Sequence, residues 1–166
     1  MTRDELDLLV AFHAWQGAAL LDAAALVPED ALRATALNEG TVFDALRHAL
    51  DVNFSWRCAA EGLPDPGLVW EVEPLEDLAN VDAFWRAEDG RLGGLVAGWS
   101  EEDPGRLVVP PWRKEPFKLW QVVMHIVTHQ SDLAAQIGWA LTRMGQSPGE
   151  IGFMQYVNTH RAAAGL

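Results

Sequence analysis

His125-Ile126-Val127-Thr128-His129-Gln130-Ser131-Asp132-Leu133 is the stretch on which the fold of this chain turns. Around it, Leu119, Val122, Val123, Ile126, Ile137 and Leu141 recur at intervals of three and four. That period predicts a long amphipathic helix from about Pro116 to Met144-Gly145, with Gly145 suited to a left-handed C-cap. Two histidines four apart lie on one face of such a helix, one turn from each other, where a single helix can offer two imidazoles to a divalent ion. A third histidine, His48, falls in the middle of an earlier helical segment, so a bundle can bring three imidazoles together.

The rest of the chain repeats the helical period. Thr2 followed by Glu5 has the form of a capping box, and Leu6, Leu9, Val10, His13 and Gly17 trace a stripe that continues to Leu20 and Leu21, predicting a first helix to about Leu26. Thr41 and Asp44 open a second helix carrying Leu46, His48, Leu50, Phe54 and Trp56. Gly62-Leu63-Pro64-Asp65-Pro66-Gly67 is a loop, because its two prolines lack amide donors and restrict the residues before them. A third segment is expected from near Pro74 to Trp99, despite Gly90, Gly93, Gly94 and Gly98, each of which costs about 1 kcal/mol in a helix interior. Leu107-Val108-Val109 reads as a short extended stretch and Glu150 to about Tyr156 as a short terminal helix. Four long amphipathic segments without sustained strand alternation predict an all-α four-helix bundle with long connecting loops.

A length of 166 residues with 49% hydrophobic content predicts one domain over 1–166 with a sizeable core. The formal charge of −12 opposes nucleic-acid phosphates and anionic lipid, both of which reward clustered Lys and Arg. No membrane span or signal peptide is read from the chain. The one cysteine, Cys58, excludes an internal disulfide and a thiolate zinc cage, points to a reducing cytoplasm, and leaves any metal to His and carboxylate donors.

Phe12-His13-Ala14-Trp15, the run Thr41 to His48, Trp56, and the His125-to-Gly145 helix followed by Glu150 to Tyr156 together resemble the DinB/YfiT-like helical-bundle proteins over nearly the whole chain. That family takes its name from damage-inducible expression and is distinct from the translesion polymerase of the same name. The resemblance implies a bundle, commonly a homodimer, with one histidine on the second helix and a His-x3-His pair on the fourth, holding nickel, zinc or a similar ion. It also implies metal-dependent chemistry of the thiol-transferase or hydrolase type. Carried over residue by residue, His48 matches the second-helix ligand. His129 matches the first of the fourth-helix pair, and the second falls on Leu133, which offers no lone pair. Three outcomes stand open: a metal held by His48, His125 and His129, displaced by one turn of about 5.4 Å; a metal held by His48 and His129 with Asp132 or Asp51 and water; or no tight metal site, the histidines being hydrogen-bonded pocket or core residues.

The remaining candidates read more plainly. His13 is expected to be a hydrogen-bonded core histidine, His160 a surface residue and Cys58 inert filler. Of the eight tryptophans, Trp15, Trp56, Trp85, Trp120 and Trp139 fall in helices, where packing is the default role. Trp70, Trp99 and Trp112 fall in or near connections, where they can wall a small-molecule cavity or form a dimer face. Glu71 to Asp77 and Glu101-Glu102-Asp103 read as solvated faces. Two function classes follow: a metal-dependent enzyme acting on a small-molecule or thiol substrate, and a non-catalytic, dimeric bundle that has lost its metal and binds a small molecule or a protein partner. No residue stands out as a general base.

Overall fold

Four long helices build the protein in the computed structural model, which describes residues 1–38, 40–162 and 165. They are α1 (Arg3–Ala24), α3 (Val42–Glu61), α5 (Leu78–Ala97) and α6 (Leu119–Arg143); α2 (Glu29–Ala34), α4 (Val69–Val72) and α7 (Phe153–Thr159) are short. Strand β1 (Leu107–Val108) pairs antiparallel with β2 (Phe117–Lys118), closing the loop ahead of α6. The architecture is all-α apart from this ribbon.

Local chemistry sets the helix ends. Thr2 and Thr41 each accept from the amide three residues on, and the carboxylates of Glu5 and Asp44 return the bond to the threonine amides at 2.8 and 2.9 Å. Helix α3 stops at Gly62, whose φ of 76° is the left-handed turn that glycine adopts without strain. Several boundaries differ from the sequence reading, among them α7, which spans Phe153–Thr159 rather than Glu150 to about Tyr156. Helix α5 starts at Leu78 rather than near Pro74, because Asp77 supplies the cap, accepting from the Asn80 amide at 2.8 Å. Helix α6 starts at Leu119 rather than Pro116, because Phe117 and Lys118 are taken into the ribbon. The first helix ends at Ala24 and continues only as turns through Leu26 and Val27.

The helices form a square in which α1 and α3 each pack against α5 and α6. Side-chain pairs give the directions. Asp22 meets Arg86 and His13 meets Asp89, so α1 and α5 are antiparallel. Phe54 meets Phe84 and Arg57 meets Glu88, so α3 and α5 are parallel. His48 meets His129 while Trp56 meets His125, so α3 and α6 are antiparallel. The order is up, down, down, up, and the parallel α3–α5 pair requires the long crossing connection through α4.

The interior is divided. One apolar cluster gathers Leu20, Leu46, Leu50, Val81, Trp85, Leu133, Ile137 and Leu141. Another gathers Leu6, Val10, Trp56, Leu92, Val96, Val122 and Ile126. Between them runs a belt of buried polar residues from all four long helices: His13, Gln16, Asn53, Arg57, Glu88, Asp89 and Gln130. Close approach marks the edge of the belt at Gly17, where a Cβ would stand 2.8 Å from Trp85 Nε1, so only glycine lets α1 lie against the indole. Of the α5 glycines, Gly93 sits against Val10, whereas Gly90 and Gly94 face open space and serve no packing purpose.

Candidate functional site

On the α3–α6 face of the square, His48 and His129 meet. Their ring centroids are 4.9 Å apart in an edge-to-face arrangement, and both line a cavity of about 190 Å³. Helix α3 brings His48 there one turn after Asp44 and Ala45, and α6 brings His129 on the margin of its apolar stripe. Leu133 lies in the same cavity wall, one turn beyond His129, with Asp132, Gln136 and Asn38 completing it. Leu133 thus shares the cavity lining with the two histidines, and it is apolar and nine-tenths buried.

His125 lies one turn back along α6, its ring 5.7 Å from that of His129 and 4.6 Å from that of Trp56. It keeps an exposed edge, yet crowding by its neighbours, and then the Arg113 guanidinium, lowers its pKa from the ordinary 6.5. Its imidazole is held toward the neutral form. Among the described residues, no three His, Cys, Asp or Glu side chains converge as a ligand group for a metal ion. The cavity thus holds two imidazoles side by side, and the wall one turn beyond His129 is the apolar Leu133. Asp132 is exposed at the cavity rim; Asp51 is buried one turn beyond His48.

Two flanking features were not legible as such in the sequence. On the outer side of His48, the Arg47 guanidinium lies 4.8 Å over the ring of Trp70, and the two bound a second cavity of about 250 Å³ with Asp44 and His48. Toward His125, a third cavity of about 390 Å³ opens between Asp51, Trp56 and Trp112. Asp51 is fastened there by the Val69 amide, which donates to Oδ1 at 2.7 Å. Burial raises its pKa from the ordinary 3.8, the effect of the Val69 bond being smaller.

The other candidates resolve into structural parts. His13 is fully buried, with Nε2 at 3.2 Å from both Asp89 Oδ1 and Asn53 Nδ2; Asn53 donates to Asp89 at 2.9 Å, and Gln130 donates to the His13 carbonyl at 2.8 Å. Cys58 is buried beside Arg57, and burial raises its thiol pKa, so it is no ready nucleophile. His160, expected at the surface, is half-buried, its ring stacked 4.4 Å from Tyr156. Trp139, expected in the core, is 62% exposed. Trp99, placed with the connections, is buried in the core. Among the described residues no helix is long and apolar enough to cross a membrane.

An up-down-down-up bundle with histidines meeting between the second and fourth long helices defines a class of helical pocket proteins. The chain belongs to the DinB family, whose family model matches residues 1–162. No curated protein matches the chain.

Proposed function

We propose that this DinB-family protein receives a small molecule in the cavity between α3 and α6, and that His48 and His129 are its working pair. The observation that carries this reading is the placement of Leu133 in the wall shared by both rings. With an apolar third position, the pair offers a ligand two imidazoles that can donate or accept a proton, beside the amides of Gln136 and Asn38.

A second reading is favoured by the 4.9 Å approach of the two rings. In it, His48 and His129 hold a divalent ion such as zinc or nickel weakly, and the bound molecule or Asp132 completes the coordination. A thiol bound there would be the kind of substrate the metal-dependent members of such a family act upon. Homodimerisation belongs to this proposal too and is checked by sedimentation at low concentration.

The test is metal titration of tag-free protein by calorimetry, comparing wild type, His129→Ala and Leu133→His. Weak or absent nickel and zinc binding in wild type, tightened by orders of magnitude in Leu133→His, is the expected result. Tight stoichiometric metal in wild type that is lost in His129→Ala would replace the first reading by the second. An unchanged affinity in Leu133→His would show that position 133 is not the missing ligand.

A further inference from the structure

We propose that the cavity bounded by Asp51, Asp65, Glu71, Trp56 and Trp112 is a binding site for an organic ammonium group. Three carboxylates from three different segments, α3, the loop after it and α4, face one space of about 390 Å³. No Lys or Arg is among the described residues that line it. Asp51 is nine-tenths buried, and the Val69 amide occupies only Oδ1; Oδ2 receives no hydrogen bond from a described residue. That oxygen is not sealed from the cavity, so water or an ammonium N–H placed there can donate to it.

Aromatic walls decide the kind of cation. Trp56 and Trp112 meet edge-to-face with centroids 5.6 Å apart, forming a corner in which the buried Trp56 is braced by Phe117 at 5.8 Å. Trp112 stands 37% exposed at the mouth. An inorganic cation has no use for indole surface, whereas an alkylated or protonated amine gains from both the rings and the carboxylates. The −12 charge of the chain adds long-range attraction for such a molecule. The site adjoins the histidine cavity through Asp51, one turn from His48, and through Trp56, which touches His125. It stands whether or not His48 and His129 bind metal.

Calorimetry on the metal-free full chain, with choline and its uncharged isostere 3,3-dimethylbutan-1-ol as probes, tests the assignment. Choline is expected to bind and the neutral isostere to bind about tenfold more weakly. Trp112→Ala and Glu71→Gln, both at exposed positions, are each expected to weaken choline severalfold without changing the melting temperature. Absence of choline binding, equal binding of the two probes, or indifference to both substitutions would overturn the proposal. So would calcium or magnesium that displaces choline and binds Trp112→Ala as well as wild type, since that marks an inorganic cation site. None of these outcomes depends on the metal titration at His48 and His129.

Discussion

At the scale of single residues, the least replaceable side chain is the buried Glu88. It pairs with Arg57, itself only 5% exposed, while Arg91 reaches in from the surface to bond Glu88 Oε2 at 3.0 Å. Removing Glu88 leaves the buried Arg57 with only the surface Glu61, at 2.7 Å, to answer its charge. Glu88→Ala is therefore expected to cost about 3–5 kcal/mol in urea denaturation, whereas the double change Glu88→Leu with Arg57→Met should recover much of that loss. The histidines illustrate what a sequence can and cannot show at this scale. The relation of His48, His129 and Leu133 follows from helical spacing and the family resemblance, because i and i+4 share a face whatever the tertiary structure. That His125 turns toward Trp56 does not follow, since the helix places it at a margin and the neighbour there comes from another helix. Asn53, Glu88, Asp89 and Gln130 did leave a signal: each interrupts an apolar stripe at a buried position, for example Leu46, Leu50, Asn53, Arg57 along α3.

At the scale of elements, the caps carry a measurable share of stability. The Thr41 hydroxyl accepts the Asp44 amide at 3.2 Å and donates to the Asp44 carboxylate at 2.7 Å; this last bond foremost, with the Thr41 amide's at 2.9 Å and against the opposing effect of burial, holds the Asp44 carboxyl below its ordinary 3.8. Thr41→Ala should cost about 1 kcal/mol at neutral pH. A carboxyl whose pKa is depressed by folding contributes stability above its unfolded pKa, and that contribution is lost as pH falls through the folded value. Denaturation curves of wild type and Thr41→Ala are thus expected to draw together below pH 3.8. A gap that persists undiminished in acid would mean that Asp44 is not part of the cap's energy. The four long helices and the short terminal one were readable, since periodicity is a local property, whereas α2 and α4 are too short to show a period and were not. The starts of α5 and α6 were not, because one depends on which of several acidic residues takes the cap and the other on a strand partner ten residues earlier.

For the molecule as a whole, the charge of −12 is a standing repulsion across a surface with few compensating cations. Salt screens it, with a Debye length that shrinks from about 30 Å at 0.01 M to about 8 Å at 0.15 M. The melting temperature is accordingly expected to rise by several degrees over that range, and a fall would show that surface ion pairs such as Arg86 with Asp22 and Asp82 outweigh the repulsion. The up-down-down-up order was not legible from the sequence: the period of each helix says which face is buried but not which neighbour buries it.

The polar belt has a consequence for how this protein can change. Leu133 and the core behind His48 and His129 lie in one apolar cluster, while Trp56, beside His125 and the tryptophan corner, lies in the other. Side chains that share no contact combine their effects additively. The belt therefore separates the two halves in the core, while on the α3–α6 face the ring contacts from His48 through His129 and His125 to Trp56 run past it and join them. Substitutions deep in one apolar cluster are thus expected to leave the other as it was, whereas a change at the histidine pocket reaches the tryptophan corner through His125.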